Sequence, residues 1–124
     1  MKQNINEIEV NGVEYVRKDS IDIPAAKNAD GLPYVIIRTY SAGVHAGYLK
    51  DREGKEVQLL NSRRIWYWSG AASLSQLAVD GTSDPDNCKF PCTLPELTLT
   101  EAIEIIPCTE KARKSIEGVK VWEK

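Results

Sequence analysis

The sequence predicts a small α+β domain, mainly antiparallel: a curled sheet or partial barrel of about five strands with two short helices, preceded by an N-terminal β-hairpin arm. Three observations carry that class. Short β-branched and aromatic runs follow one another between turn residues, which is the pattern of a meander. Two stretches with helical spacing begin behind a capping residue and stop at glycine. An Asn-Gly dipeptide near the front sits between alternating residues. At 124 residues the chain fits one compact domain with a short appended module. The boundaries read as a hairpin arm over 1–17, a linker over 18–31 and a compact α+β domain over 32–124.

Taken in order, "NEIEVNGVEYVRKDS" (6–20) folds back at Asn11-Gly12, so that Val10 faces Val13 and Ile8 faces Tyr15, with Glu9 and Glu14 on the other side. Such a hairpin is marginal alone, so its apolar face needs either the main domain or another subunit; a homo-oligomer is the expected assembly. The polar stretch that follows carries two prolines and an Asp-Gly and reads as a linker. "YVIIRTY" (34–40) and "VHAGYLK" (44–50) form an antiparallel pair across "SAG". After the charged turn "DREGK", "EVQLLNSRRIWYW" (56–68) is long enough for one bent strand or two broken near Asn61-Ser62.

Ser69 or Gly70 caps a short helix, "AASLSQLAV", with Leu74, Leu77 and Ala78 on one face and Gly81 as its stop. Residues 82–95 read as a long irregular loop, suited to act as a lid. "ELTLTEAIEII" (96–106) alternates, but Glu101 falls on the parity of its apolar residues, so a bulge or register break is expected near Thr100 to Ala102. Thr109 caps a last helix with Ala112 and Ile116 inward and Gly118 at its end, and "VKVW" closes the chain as an edge strand.

The charge balance excludes global attraction to polyanions: 16 Lys and Arg against 18 Asp and Glu leave −2. No apolar run approaches the roughly 18 residues of a membrane span. The start "MKQNINEIEV" lacks an apolar signal core, and three cysteines cannot all pair, so a reducing cytosol is expected. Cys88, Cys92, Cys108 and His45 lack paired zinc-ligand spacing and read as buried free thiols and a hydrogen-bonding histidine, with no metal or cofactor. Asp80, Asp84 and Asp86 lack the ligand positions of a calcium loop.

The candidate ligand site is "RRIWYWSGAASLSQLAVDG" (63–81). On a strand Arg64, Trp66 and Trp68 share one face and Ile65 and Tyr67 the other, so a core face and an aromatic-cationic face coexist. That face suits a ring to stack and an anion to hold, although tryptophans also supply core area and interfaces. A helix opening at Ser69-Gly70-Ala71 would add backbone N–H donors. The residues singled out are Arg38, His45, Arg63, Arg64, Trp66, Trp68 and Gly70; none is assigned a catalytic role.

Three strings, "LPYVIIRTYSAGVHAGYL", "RRIWYWSGAASLSQLAVDG" and "AIEIIPCTEKARKSIE", give residues 32–122 a resemblance to a family of small proteins of unknown function encoded by bacteriophages and prophages. "VNGVEYVRKDS" resembles a short module that precedes varied phage domains. The resemblance implies a viral source inside a bacterial cytosol and transfers no catalytic residue. The expected function is a non-enzymatic accessory binding protein that counters a host defence by sequestering a nucleotide-type signal or blocking a host protein. The alternatives are a protein-interaction or oligomerisation module, single-stranded nucleic-acid binding, which the acidic balance opposes, and a nucleotide phosphodiesterase, which one histidine and no motif oppose.

Overall fold

A computed structural model describes residues 26–27 and 30–124, so the hairpin arm over 1–17 and most of the linker over 18–31 lie outside the described residues. Ala26 already belongs to the domain: it is buried, donates to the Cys108 carbonyl at 2.9 Å and accepts from the Tyr34 amide at 2.8 Å.

The elements are β1 (Tyr34–Thr39), β2 (Val44–Glu53), β3 (Glu56–Arg64), α1 (Leu74–Asp80), a 3-10 turn at Pro85–Asn87, β4 (Leu94–Leu99), β5 (Ala102–Pro107) and α2 (Glu110–Gly118). The five strands form one antiparallel sheet in the order β4-β3-β2-β1-β5, which is curled and open as the expected fold class requires.

The curl follows from one connection. β4 and β5 are the two edges of the sheet, yet only Thr100 and Glu101 join them. Three Cα steps reach at most about 11 Å, whereas the edges of a flat five-stranded sheet stand about 19 Å apart. The edges must therefore bend towards each other at this end. "ELTLTEAIEII" is accordingly two strands and not one bulged strand: the parity break at Glu101 marks where the chain crosses from one edge to the other.

Alternation then builds two cores. Val35 and Ile37, Val57 and Leu59, Leu99 and Ala102 point into the curl, with Leu49, Leu97 and Ile105 packed around them. Each fully buried aliphatic side chain contributes about 1.5–3 kcal/mol. The opposite parity, Tyr34, Ile36, Ala46 and Tyr48, faces outward and is covered by Leu77 and Ala78 of α1 and Ala112 and Ile116 of α2. Tyr34 and Tyr48 are register partners and meet edge to face at 4.9 Å.

β3 carries a bulge at Asn61, the one non-glycine among the described residues with positive φ, so the bend foreseen near Asn61-Ser62 occurs without ending the strand. α2 starts as its sequence dictates, with the Thr109 hydroxyl accepting from the Ala112 amide. α1 departs from expectation. Its N-cap is Ser73, not Ser69 or Gly70, because the Ser73 hydroxyl accepts from the Gln76 amide and the Gln76 side chain accepts from Ala72. Gly81, at φ 75, stops it as expected. "VKVW" forms only a parallel bridge, Val121 to Phe90, and no edge strand.

Candidate functional site

The site forms where β3 ends. The Ile65 amide donates to the Val44 carbonyl at 2.8 Å and its side chain enters the core. From Trp66 onward the chain leaves the sheet and runs over its surface. Tyr67 is then held by two backbone bonds to Lys89, at 2.8 and 3.3 Å.

This path opens a cleft of about 380 Å³ between the β1–β2 turn, Ser41 to Val44, and the residues Arg64, Trp66 and Trp68, with Ile65 among its walls. Arg64 donates through Nη1 to the Ala42 carbonyl at 2.8 Å, which fixes the guanidinium against the turn. Trp68 donates from its indole nitrogen to the Ala71 carbonyl at 3.3 Å. Trp66 is 64% exposed and presents most of its ring to solvent.

His45 stands behind the cleft. It is the register partner of Arg64, is buried, and directs Nε2 to the same Ala42 carbonyl at 2.9 Å. Burial holds its pKa below the ordinary imidazole value; the Arg64 charge works in the same direction and the Ala42 bond against it. The ring is neutral near pH 7, and its role is to brace the carbonyl that orients Arg64.

The remaining singled-out residues lie elsewhere. Arg38 is on β1 and pairs with Glu104 of β5 at 2.9 Å, an exposed pair of small energetic weight. Arg63 points to the opposite side of the sheet from Arg64 and is 3% exposed. Its guanidinium donates to the carbonyls of Phe90, Pro91, Ile116 and Val119 and lies 5.5 Å from the Phe90 ring centroid. It is an internal anchor, turned away from the cleft.

Gly70 is a packing glycine. At φ 83, a Cβ there would lie 2.5 Å from the Asp84 nitrogen, because residues 82–84 press against it. Its carbonyl accepts from the Ser83 amide and hydroxyl. α1 is capped by Ser73, so no helix opens at Ser69-Gly70-Ala71, and the Ser69 amide donates to the Cys88 sulfur at 3.4 Å. The same contacts remove the lid expected over 82–95: Thr82 donates to the Ser69 carbonyl, Ser69 donates to Asp84 at 3.0 Å, and Lys89 pairs with Tyr67. Among the described residues no group of three His, Cys, Asp or Glu is placed to hold a metal. Cys88 and Cys108 are buried as expected, whereas Cys92 departs from that expectation and is exposed; burial pushes the Cys108 thiol up to about 12.

Two residues that sequence reasoning passed over belong to this surface. Trp122 stacks on Trp66, with ring centroids 6.4 Å apart and planes 9° from parallel. The Lys89 ammonium lies 5.9 Å from the Tyr67 ring centroid and 5.7 Å from that of Trp122. No local pattern announces either; only the aromatic type of Trp122 is a signal.

A family model described as a domain of unknown function (DUF6948) matches residues 32–116. No curated protein and no solved structure matches the chain. Among the described residues no helix is long and apolar enough to cross a membrane.

Proposed function

The chain belongs to DUF6948, a family with no assigned activity, and from that premise we propose a non-enzymatic binding protein that holds a planar, anionic ligand of nucleotide type in the Arg64–Trp66–Trp68 cleft. The observation that supports it is the make-up of the cleft: one cation and two indoles around an open cavity of about 380 Å³. Indole faces stack on planar rings, and a guanidinium recognises phosphate or carboxylate in a fixed fork. Among the described residues Arg64 is the only charged side chain in the lining, and the one hydroxyl there, Ser41, donates to Glu101 at 3.0 Å. That inventory favours holding a ligand over transferring a proton. In keeping with the phage or prophage origin that the sequence strings imply, the ligand would be a host signal nucleotide sequestered in the cytosol.

Thermal shift of the full chain with saturating linear and cyclic nucleotides tests the reading. A ligand that binds only the native state at a hundred times its Kd adds about 2.7 kcal/mol to stability, and Arg64→Ala or Trp66→Ala should erase that gain. If no nucleotide raises the melting temperature, sequestration is wrong. Blocking a host protein is the second reading, favoured by the exposure of Tyr40, at 78%, directly after β1 where the chain enters the same turn.

A further inference from the structure

We infer that the site continues past Trp66 onto a second station, and that the fitting ligand is a dinucleotide, two linked bases with an anionic linker, instead of a mononucleotide. This rests on the nucleotide reading of the cleft. The stacked pair Trp66–Trp122 stands between two cavities: Trp66 lines the first, of about 380 Å³, and Trp122 lines a second, of about 320 Å³. Each cavity thus has its own indole, and the ridge between them is aromatic.

Charge complementarity identifies what crosses the ridge. Arg64 and Lys89 flank it, and among the described residues neither has a carboxylate within ion-pairing distance, although the chain as a whole is acidic. Two of the aromatic residues of this surface are held by backbone bonds: the Trp122 amide donates to the Phe90 carbonyl at 3.0 Å, and Tyr67 is paired with Lys89. The platform is preorganised, so little ordering is lost on binding. Two unpaired cations beside fixed rings call for an anion between two planar groups. The second cavity differs from the first in carrying Asp86 and Glu123 together with Lys120. Carboxylates accept from the exocyclic amino groups of bases, so this lining suits a base edge and the phosphate stays with Arg64 and Lys89.

The probes are 5′-AMP and the dinucleotide pApA, titrated into the full chain by calorimetry and tryptophan fluorescence. A second stacked base is worth about fivefold to a hundredfold in affinity. pApA should therefore bind at least about fivefold tighter than AMP. Trp122→Ala and Lys89→Ala should each shrink the ratio of pApA to AMP affinity towards one, while Trp66→Ala weakens both. These side chains lie at the surface, so an unchanged melting temperature verifies the fold of each variant. Equal affinity for AMP and pApA, or a pApA advantage that survives Trp122→Ala, overturns the two-station site and leaves the cleft standing. Binding of pApA that depends on Trp122 but not on Arg64 overturns the cleft reading on which the two-station site rests. Absence of binding by both probes overturns both.

Discussion

Arg63 and Arg64 are adjacent, chemically identical and oppositely used. Arg63 lies beneath α2, sealed from solvent, with four backbone carbonyls around its guanidinium. Two of those carbonyls, Ile116 and Val119, belong to the C-terminal turn of α2, where the helix dipole is negative, and the other two to the segment entering β4. One buried cation thus fastens a helix end and a long connection to the sheet. Arg64, on the other face of the same strand, directs Nη1 to the Ala42 carbonyl, with His45 Nε2 3.4 Å away, and its guanidinium lines the cleft. The difference teaches that charge type carries no assignment by itself: the strand's period of two sends one arginine to architecture and its neighbour to the surface.

The largest test of this contrast is Arg63→Ala. It orphans several buried carbonyls at once and should cost about 3–5 kcal/mol in urea denaturation. Arg63→Lys should recover only part, since a point ammonium cannot match a planar fork. A loss below about 1 kcal/mol would contradict the anchor. Next comes Gly70→Ala, where positive φ and the pressed loop 82–84 predict a loss of about 1–3 kcal/mol.

Smaller is the acid response of His45. Its folded pKa lies below the ordinary 6.5, so as pH falls the unfolded chain takes up this proton first. The stability it contributes is whole above about 6.5 and is lost as pH drops through the window beneath. His45→Gln should therefore flatten part of the decline in denaturation midpoint between pH 7 and 5; an unchanged slope counts against a neutral buried ring. Smallest in stability is Arg64→Ala, within about 1 kcal/mol, although it should abolish ligand-induced stabilisation. If Arg64→Ala unfolds the protein as Arg63→Ala does, the distinction between the two is gone.

How much of this the sequence shows depends on the range of the interaction. The pairing of β1 with β2, the Thr109 cap and inward Ala112 and Ile116 of α2, and the Gly81 stop of α1 are all set within a few residues, and all are legible. Alternation also separates Arg63 from Arg64, but it cannot say which face a helix some fifty residues later will cover. The placement of Arg63 in the ligand site fails for that reason. Gly70 reads as the opening of an anion-binding turn only until residues 82–84 are known to lean on it. Trp122 and Lys89 reach Trp66 and Tyr67 through tertiary contact alone.

The two-residue passage from β4 to β5 also bears on how the chain comes together in time. β1 finds its second neighbour only in β5, with Arg38 and Glu104 separated by 66 positions. Until that segment has left the ribosome, β1 has an open edge and the interior of the curl is unsealed. Early-made strands wait on late-made ones, which places closure among the slow, high-contact-order steps of folding. A chain halted at residue 100 should therefore show no cooperative unfolding transition, whereas residues 1–124 should show one.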